Sequence, residues 1–414
     1  MSARSNPSRI VETTRAIALV LLCLVAFLWD TILVRVMVSL QMNDFGRFYY
    51  SARAFLDGND MYAPSPATQR GAGMIAGAQH LLNLNPPHFH LLLLPLARLS
   101  PDTALTVWML ASMFAFVLSL LLIAREIKFV TTGTRAVMLV VFVLACSASQ
   151  AMFITGQLAF LMLLPVTLSW CDARHGRWER AGAWLGLLVS LKLFFLIFVP
   201  YLIASRRWRA LAAMVATLAA CLMAGLIVFH AASYWSWIGA LRQSGNWAWL
   251  GMNASALGLF QRLFAASPSF QPVTVAPSLI RLWMLVAGVI AFATLSVTFM
   301  DNAVTAVDRT FALLLIAAQL LSPVGWVYYL WLAAGPLAAL AFLENGAALS
   351  PKHGAIRWLG VLALAGFLTP ITTPYYFQPS ALATLTVGSV YFWATLALWT
   401  DLVIVFAQRR TIAA

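Results

Sequence analysis

Residues 211–229 read LAAMVATLAACLMAGLIVF, nineteen positions without a charged side chain. A helix of about 20 apolar residues crosses the hydrocarbon core of a bilayer. None of the apolar stretches alternates with the period of two that is typical of a membrane barrel strand. The sequence therefore predicts an all-α polytopic membrane protein. Further predicted spans are Ala16–Val34, Ala104–Ile123, Ala136–Ile154, Leu282–Met300 and Val387–Phe406.

The composition agrees with a lipid environment. Of 414 residues, 62% are hydrophobic and 9% are charged, and the mean hydropathy is +0.86. A soluble domain has about 25% charged residues. The net charge is +13, but the basic residues flank apolar stretches, as cytoplasmic loops do. This placement excludes nucleic acid as the partner and indicates membrane lipids. The clusters are Arg125/Lys128/Arg135, Arg174/Arg177/Arg180, Arg206/Arg207/Arg209, Lys352/Arg357 and Arg409/Arg410.

If these basic clusters are cytoplasmic, the sequence predicts about 12 spans in a bacterial inner membrane, the first of them a retained signal anchor. Both termini are then in the cytoplasm. Two stretches are then short-helix hairpins. Ala181–Ala204 is interrupted at Lys192, and Phe311–Leu343 is interrupted at SPVGW, residues 322–326. Such breaks are tolerated only where protein or a watery cavity satisfies the backbone. Both breaks therefore predict an outward-facing cavity.

Residues 1–414 form one predicted transmembrane domain with two outer loops, Gln41–Pro101 and Ala231–Pro277. In the first loop, HFHLLLLPLARLS is about half a span long, which favours a short re-entrant or interfacial helix. The four cysteines have no metal-ligand or disulfide spacing, so we interpret them as packing residues.

Few of the 13 acidic residues are predicted on the outer side. The DGND stretch at 57–60 reads as a turn, and Asp102 opens a helix after Ser-Pro. Asp30 lies within the first span, where Arg35 is a possible structural partner. Asp44 remains the candidate carboxylate for chemistry outside, with an ordinary interfacial role as the alternative. The five outer acids are Asp30, Asp44, Asp57, Asp60 and Asp102.

Six motifs then occur in order. Residues 44–62 read DFGRFYYSARAFLDGNDMY, with a DF pair, an aromatic pair and a G-x-D-x-Y ending. NPPHFHLLLLPLARLS, GQLAFLMLLP, GAWLGLLVSLKLFFLIFVPYLIASRRWRA, NASALGLFQRL and LSPVGWVYYLWL follow, as far as Leu332. In this order they resemble glycosyltransferase family 87, which includes polyprenol-phosphate-mannose-dependent mannosyltransferases.

The resemblance implies a GT-C fold and a hexosyltransferase that takes a mannose-like sugar from a polyprenyl phosphate at the outer face. The acceptor is then a lipid-linked or glycan hydroxyl. Asp44 matches the family's catalytic aspartate through its DF motif. Many relatives have histidines after SP-x-x-W where this chain has Tyr328 and Tyr329. That departure leaves the sugar and the acceptor open.

The chemistry of such a transfer assigns roles to several side chains. A carboxylate at Asp44 is a competent general base for an attacking hydroxyl, and a phosphate leaving group needs no second acid, which fits inversion. The leaving phosphate does need a cation. Lys192 is the first candidate, with a snorkelling lysine as the alternative. Arg47 and Arg262 are weaker candidates.

Polar and aromatic side chains of the same motifs are candidates for substrate binding. His88 and His90 have no third ligand, so we predict hydrogen bonding, no metal and no cofactor. Gln157 and Asn253 fit sugar contacts or helix caps equally well. The tryptophans at 235, 237, 247 and 249 fit an interfacial belt. The substrate candidates are Tyr49, Tyr50, Asp60, Tyr62, His88, His90, Gln157, Asn253, Ser322, Trp326, Tyr328 and Tyr329.

A rival prediction from another class is a transporter or a lipid or glycan flippase. In that case Asp30 and Lys192 are coupling charges within the membrane. Acids confined to one outer loop, and six motifs in order, favour the transferase.

Overall fold

The computed structural model describes residues 43–73, 82–129, 133, 140, 142–143, 146–243, 248–267, 270–299, 306–343 and 380–413. The predicted signal anchor and first span, with Asp30 and Arg35, lie outside these residues. So do residues 136–139, 141, 144 and 145 of the predicted span Ala136–Ile154, together with Trp247 and the Lys352/Arg357 cluster.

Most of the described residues are helical, and none of them belongs to a strand. The α-helices are α1 (Asn43–Leu56), α2 (Pro66–Gly73), α3 (Pro101–Glu126), α4 (Ser147–Thr155), α5 (Ala159–Arg174), α6 (Trp178–Leu191), α7 (Phe198–Ala204), α8 (Trp208–Leu241), α9 (Ala256–Phe264), α10 (Trp283–Phe299), α11 (Ala306–Leu321), α12 (Ala334–Phe342), α13 (Ala381–Leu385) and α14 (Val390–Ala413). Short 3-10 helices cover Pro87–Leu92, Leu96–Arg98, Leu193–Ile197, Pro277–Leu282, Val327–Ala333 and Val387–Ser389.

Four described segments are long and apolar enough to cross a bilayer: Pro101–Glu126, Trp208–Leu241, Pro277–Phe299 and Ala381–Ala407. The prediction of an all-α membrane protein is confirmed. The predicted count of about 12 spans is not confirmed, because several apolar stretches are shorter helices and others lie outside the described residues. Leu193–Ala204 and Val327–Phe342 are two such shorter apolar segments.

Both predicted helix breaks are present. Helix α6 ends at Leu191, and Lys192 has the extended backbone of φ −145° and ψ 118° before the next 3-10 helix begins. Helix α11 ends at Leu321, and Trp326 is extended at φ −62° and ψ 146°. Each break therefore interrupts an apolar hairpin at the position where charge, proline or glycine enters the sequence.

Helices α6 and α8 pack closely and run in the same direction. Gly182 of α6 faces the backbone of Ala210, and Gly186, one turn later, faces Met214. A side chain on either glycine would meet a carbonyl oxygen of α8, so only glycine allows this approach. Helix α8 then kinks at His230, where φ is 58° and ψ is 166°, and continues as a helix into the predicted second outer loop.

Ion pairs join helix ends at the predicted cytoplasmic basic clusters. Asp172 lies 2.8 Å from Arg177 and 3.4 Å from Arg180, and Arg174 lies 3.2 Å from Glu126. Carboxylates there are thus matched by arginines.

Candidate active site

A cavity of about 450 Å³ lies where the first loop meets both helix breaks. Its lining combines charged and amide side chains with a larger number of apolar ones. Its lining includes Asp44, Arg47, Phe48, Leu82, Leu84, Asn85, Gln157, Ser190, Lys192, Leu193, Phe194, Ile197, Trp237, Leu241, Leu321, Ser322, Trp326 and Tyr329. The two breaks predicted to face a cavity therefore face the same one.

Helix α1 presents Asp44 to the cavity from its first turn. Phe45 and Phe48 are buried, with ring centroids 5.8 and 5.9 Å from that of Trp108, and Phe48 also lines the cavity. A carboxylate in the first turn is favoured by the helix dipole. Arg47 follows one turn on, and its Nη1 lies 4.0 Å from Asp44 Oδ1.

Gln157 holds the Asp44 carboxylate in place. Its Nε2 donates to Asp44 Oδ2 at 2.8 Å and to the hydroxyl of Tyr328 at 3.0 Å. Its Oε1 accepts from the Leu158 N–H at 2.8 Å. Gly156 allows this arrangement because it is left-handed at φ 62° and because a Cβ there would lie 2.8 Å from Phe45 Cβ. Gln157 thus makes an orienting contact to Asp44, whereas the helix cap that was the alternative prediction is not formed, because α5 begins without a side-chain cap.

Lys192 lines the same cavity as the Asp44 carboxylate of helix α1. Its Nζ donates to Asn85 Oδ1 at 2.9 Å. Two residues before Lys192, the backbone is held by His88, whose Nε2 donates to the Ser190 carbonyl at 2.6 Å. Burial lowers the pKa of His88, so that its imidazole is neutral at pH 7. First-loop residues therefore position the helix break at Lys192.

The loop at residues 322–326 is fixed by Asn253. The Asn253 side chain accepts from the Gly325 N–H at 2.8 Å and donates to the Pro323 carbonyl at 3.1 Å. Asn253 pairs with Trp326 in a single antiparallel bridge. Asn253 is buried and supports the loop, whereas Ser322 and Trp326 themselves line the cavity.

Several predicted site residues do not line the cavity. Tyr49 is buried and donates to the Leu99 carbonyl at 2.8 Å, and Tyr50 packs against Gly71. Asp60 is exposed and accepts from Ser236 at 2.6 Å. Tyr62 donates to the Asn85 carbonyl, and His90 hydrogen-bonds to Asn83. Tyr328 accepts from Gln157.

Arg262 was predicted as a weaker phosphate ligand, but the structure places it elsewhere. It is 0% exposed and does not line the cavity. Its Nε donates to Ser389 at 2.9 Å, and its Nη1 donates to the carbonyls of Leu250 and Asn253 at 3.0 and 3.2 Å. These contacts join α9 to the C-terminal helices.

Sequence reasoning missed Asn85, Ser190 and Trp237. Trp237 was predicted for an interfacial belt, yet it lines the cavity and donates to the Leu84 carbonyl at 3.1 Å. Asn85 stands in the quoted NPP motif, so the motif was the available signal. In the described part of the chain, no three His, Cys, Asp or Glu side chains form a group that could hold a metal.

Comparison with known proteins shows the family to which the chain belongs. Residues 83–323 match glycosyltransferase family 87, and these are more than half of the chain. The chain belongs to glycosyltransferase family 87. It is therefore a membrane glycosyltransferase, and family membership decides between the enzyme and the transporter predictions in favour of the enzyme. The matched residues include Asn85, Gln157, Lys192 and Ser322 but begin after Asp44.

A relative from Mycobacterium tuberculosis (strain ATCC 25618 / H37Rv) extends the similarity. It is the polyprenol-phosphate-mannose-dependent alpha-(1-2)-phosphatidylinositol mannoside mannosyltransferase, 25% identical over 391 residues. The alignment covers 86% of this family 87 chain and 82% of the relative. No solved structure matches the chain.

Proposed function

We propose that this family 87 enzyme transfers a mannose-like hexose from a polyprenyl phosphate to a lipid-linked or glycan hydroxyl at the outer face of the inner membrane. One observation carries the proposal: Asp44 and Lys192, of opposite charge, line one cavity whose remaining wall is mainly apolar. The mycobacterial relative, whose name includes a polyprenol-phosphate-mannose donor, supports the donor class.

The apolar and the cationic lining residues of the cavity match the two parts of such a donor, its isoprenoid chain and its phosphate. Leu193, Phe194, Ile197 and Leu321 offer apolar surface to an isoprenoid chain. Lys192 offers an ammonium to the phosphate, and Arg47 lies on the same cavity. A cation next to an apolar wall is the arrangement that an amphipathic lipid phosphate requires.

In the proposed reaction, an acceptor hydroxyl gives its proton to a carboxylate oxygen of Asp44. The acceptor oxygen attacks the anomeric carbon, and the bond from that carbon to the phosphate oxygen breaks. The bonding electrons stay on the phosphate, which leaves as polyprenyl phosphate beside Lys192. One displacement inverts the anomeric centre. Because Gln157 holds Oδ2, Oδ1 is the oxygen that accepts the proton.

The test is transfer of radiolabelled mannose from a polyprenyl phosphate donor to endogenous lipid acceptors in membranes that contain the enzyme. We expect Asp44→Asn to lower the rate by about 10²- to 10⁴-fold, the usual contribution of a general base. Asp57→Asn is the matched control, because Asp57 is an exposed carboxylate of the same loop that pairs only with Arg53 among the described residues. A folded Asp44→Asn protein with wild-type activity contradicts the proposal.

A further inference from the structure

Asn85 connects the first loop to the cation of the cavity. Its Oδ1 accepts from Lys192 Nζ at 2.9 Å, and its side chain is nearly covered, with 5% of the residue exposed. An ammonium has three N–H groups. One of them is directed to Asn85, which leaves two to donate to a ligand in the cavity.

The orientation of the Asn85 amide is set by Asn83. Asn83 Oδ1 accepts from the Asn85 backbone N–H at 3.0 Å and from Asn85 Nδ2 at 3.2 Å. Asn85 Nδ2 therefore faces Asn83, and the amide oxygen faces Lys192. Tyr62 fixes the same residue from the backbone, because its hydroxyl donates to the Asn85 carbonyl at 2.6 Å.

His90 sets the orientation of Asn83 in turn. Burial lowers the pKa of His90 to about 4, so the ring is neutral at pH 7. Its Nδ1 lies 3.2 Å from the Pro86 carbonyl and must carry the proton. Its Nε2, 2.8 Å from Asn83 Nδ2, is then an acceptor. The donors and acceptors are thus fixed along the whole series: Lys192 donates to Asn85, Asn85 to Asn83, Asn83 to His90, and His90 to the Pro86 carbonyl.

Reversing either amide would place two N–H donors against each other within a buried site, which is costly. The hydrogen bonds through Asn85, Asn83 and His90 therefore present an acceptor to Lys192 and never a donor. That acceptor is also neutral. A carboxylate at the same position would hold the ammonium equally well but would form an ion pair with it and compete with an anionic ligand.

We infer that Asn85 is a positioning residue for donor recognition, which directs the Lys192 ammonium toward the donor phosphate without neutralising its charge. The inference rests on the proposed function. It assigns to the first loop a role in binding the donor, in addition to supplying the base.

The first experiment measures binding of undecaprenyl phosphate to the purified full-length enzyme in detergent, together with the unfolding temperature. We expect Asn85→Asp to weaken binding about tenfold or more, the effect of losing one charge-assisted contact. The unfolding temperature falls, because a carboxylate oxygen then replaces Nδ2 against Asn83 Oδ1, so binding is compared at a temperature at which both proteins are folded. Asn59→Asp, the same change at an exposed position of the loop, leaves binding unchanged. A purely structural Asn85 predicts unchanged binding by Asn85→Asp, and that result overturns the inference.

The second experiment is a double-mutant cycle with Asn85→Ser and Lys192→Gln, which does not depend on how Asn85→Asp folds. If Asn85 acts through Lys192, the double variant binds undecaprenyl phosphate about as weakly as Lys192→Gln alone. Effects that add fully show that Asn85 acts independently and overturn the inference. In transfer assays, the donor KM of Asn85→Ser rises, while kcat at saturating donor changes less than KM.

Failure of the proposed function has a different signature. A wild-type enzyme that neither binds undecaprenyl phosphate nor transfers sugar from a polyprenyl phosphate overturns the proposed function and this inference with it. A wild-type enzyme that does both, with Asn85→Asp binding equally tightly, overturns the inference alone.

Discussion

The Gln157 side-chain amide donates to Asp44 Oδ2 at 2.8 Å, joining residues 113 positions apart. Asp44 lies in the first turn of α1, and Gln157 lies in the turn between α4 and α5, so this hydrogen bond connects the start of the first loop to that turn. The Asp44 carboxylate, the proposed base, is therefore oriented by a side chain that is itself held by two further hydrogen bonds, to the Tyr328 hydroxyl and the Leu158 N–H.

We expect Gln157→Leu to lower kcat by about tenfold to a hundredfold, because a misplaced base loses that order of rate. The donor KM changes little, since Gln157 does not contact Lys192 in the structure. Steady-state transfer kinetics at varied donor concentration measure both constants. Gln243→Leu, at an exposed position, serves as the control. A Gln157→Leu enzyme with wild-type kcat shows that Asp44 needs no orienting partner.

Lys192→Gln should raise the donor KM by about tenfold or more, the loss expected for one charged hydrogen bond. The acceptor KM should stay near the wild-type value, because the ammonium is proposed to contact the phosphate of the donor. Arg242→Gln removes an exposed cation at the C-terminal end of α8 and is the matched control. Equal increases in both KM values argue for a general packing role.

Arg262→Gln should destabilise the enzyme by about 2–4 kcal/mol, because several hydrogen bonds of a buried guanidinium are lost together. Unfolding temperature in detergent measures this effect. The protein that remains folded should keep the wild-type donor KM, since Arg262 does not line the cavity. A raised donor KM at unchanged stability restores Arg262 as a phosphate ligand.

Stability should fall between pH 7 and pH 5 partly through His90. Its folded-state pKa is about 4, whereas a histidine in the unfolded chain has a pKa of about 6.5. The unfolded state therefore binds more protons across that window, and folding loses about 2 kcal/mol from pH 7 to pH 5. The loss stops growing below about pH 4, where both states are protonated.

Unfolding temperatures at pH 7 and pH 5 measure this dependence in wild type and His90→Gln. The difference between the two pH values should shrink in His90→Gln. His175→Gln, which changes a half-exposed histidine, should keep it. His88 also has a lowered pKa, so a smaller dependence remains in His90→Gln. An unchanged difference in His90→Gln means that His90 does not titrate as the structure indicates.

The sequence predicted the helix breaks because their causes are local. A lysine in an apolar hairpin, or SPVGW in another, disturbs a helix through its own chemistry. Asp44, which lines the cavity, could be proposed from the sequence because acids are rare on the predicted outer side. Asp102 is in the first turn of α3 after the Ser100 cap, as Ser-Pro-Asp indicated.

Other features depend on contacts between distant segments. An arginine in a loop reads as solvated, and only the carbonyls of residues 250 and 253 show why Arg262 is buried. Asn85 is uncharged in a motif that reads as a turn, so its contact with Lys192, 107 positions on, left no local pattern. Trp237 is of the residue type that forms interfacial belts, and only the fold brings it to Leu84.

The hydrogen bond between Trp237 and Leu84 joins residues 153 positions apart. A ribosome makes the first loop well before it makes the end of α8. Until that helix has been inserted, Leu84, Asn85 and Asp44 lack the wall that later faces them. Assembly of this cavity is consequently a late event in biogenesis, and a chain truncated before Trp237 would insert its early helices without acquiring the proposed donor site.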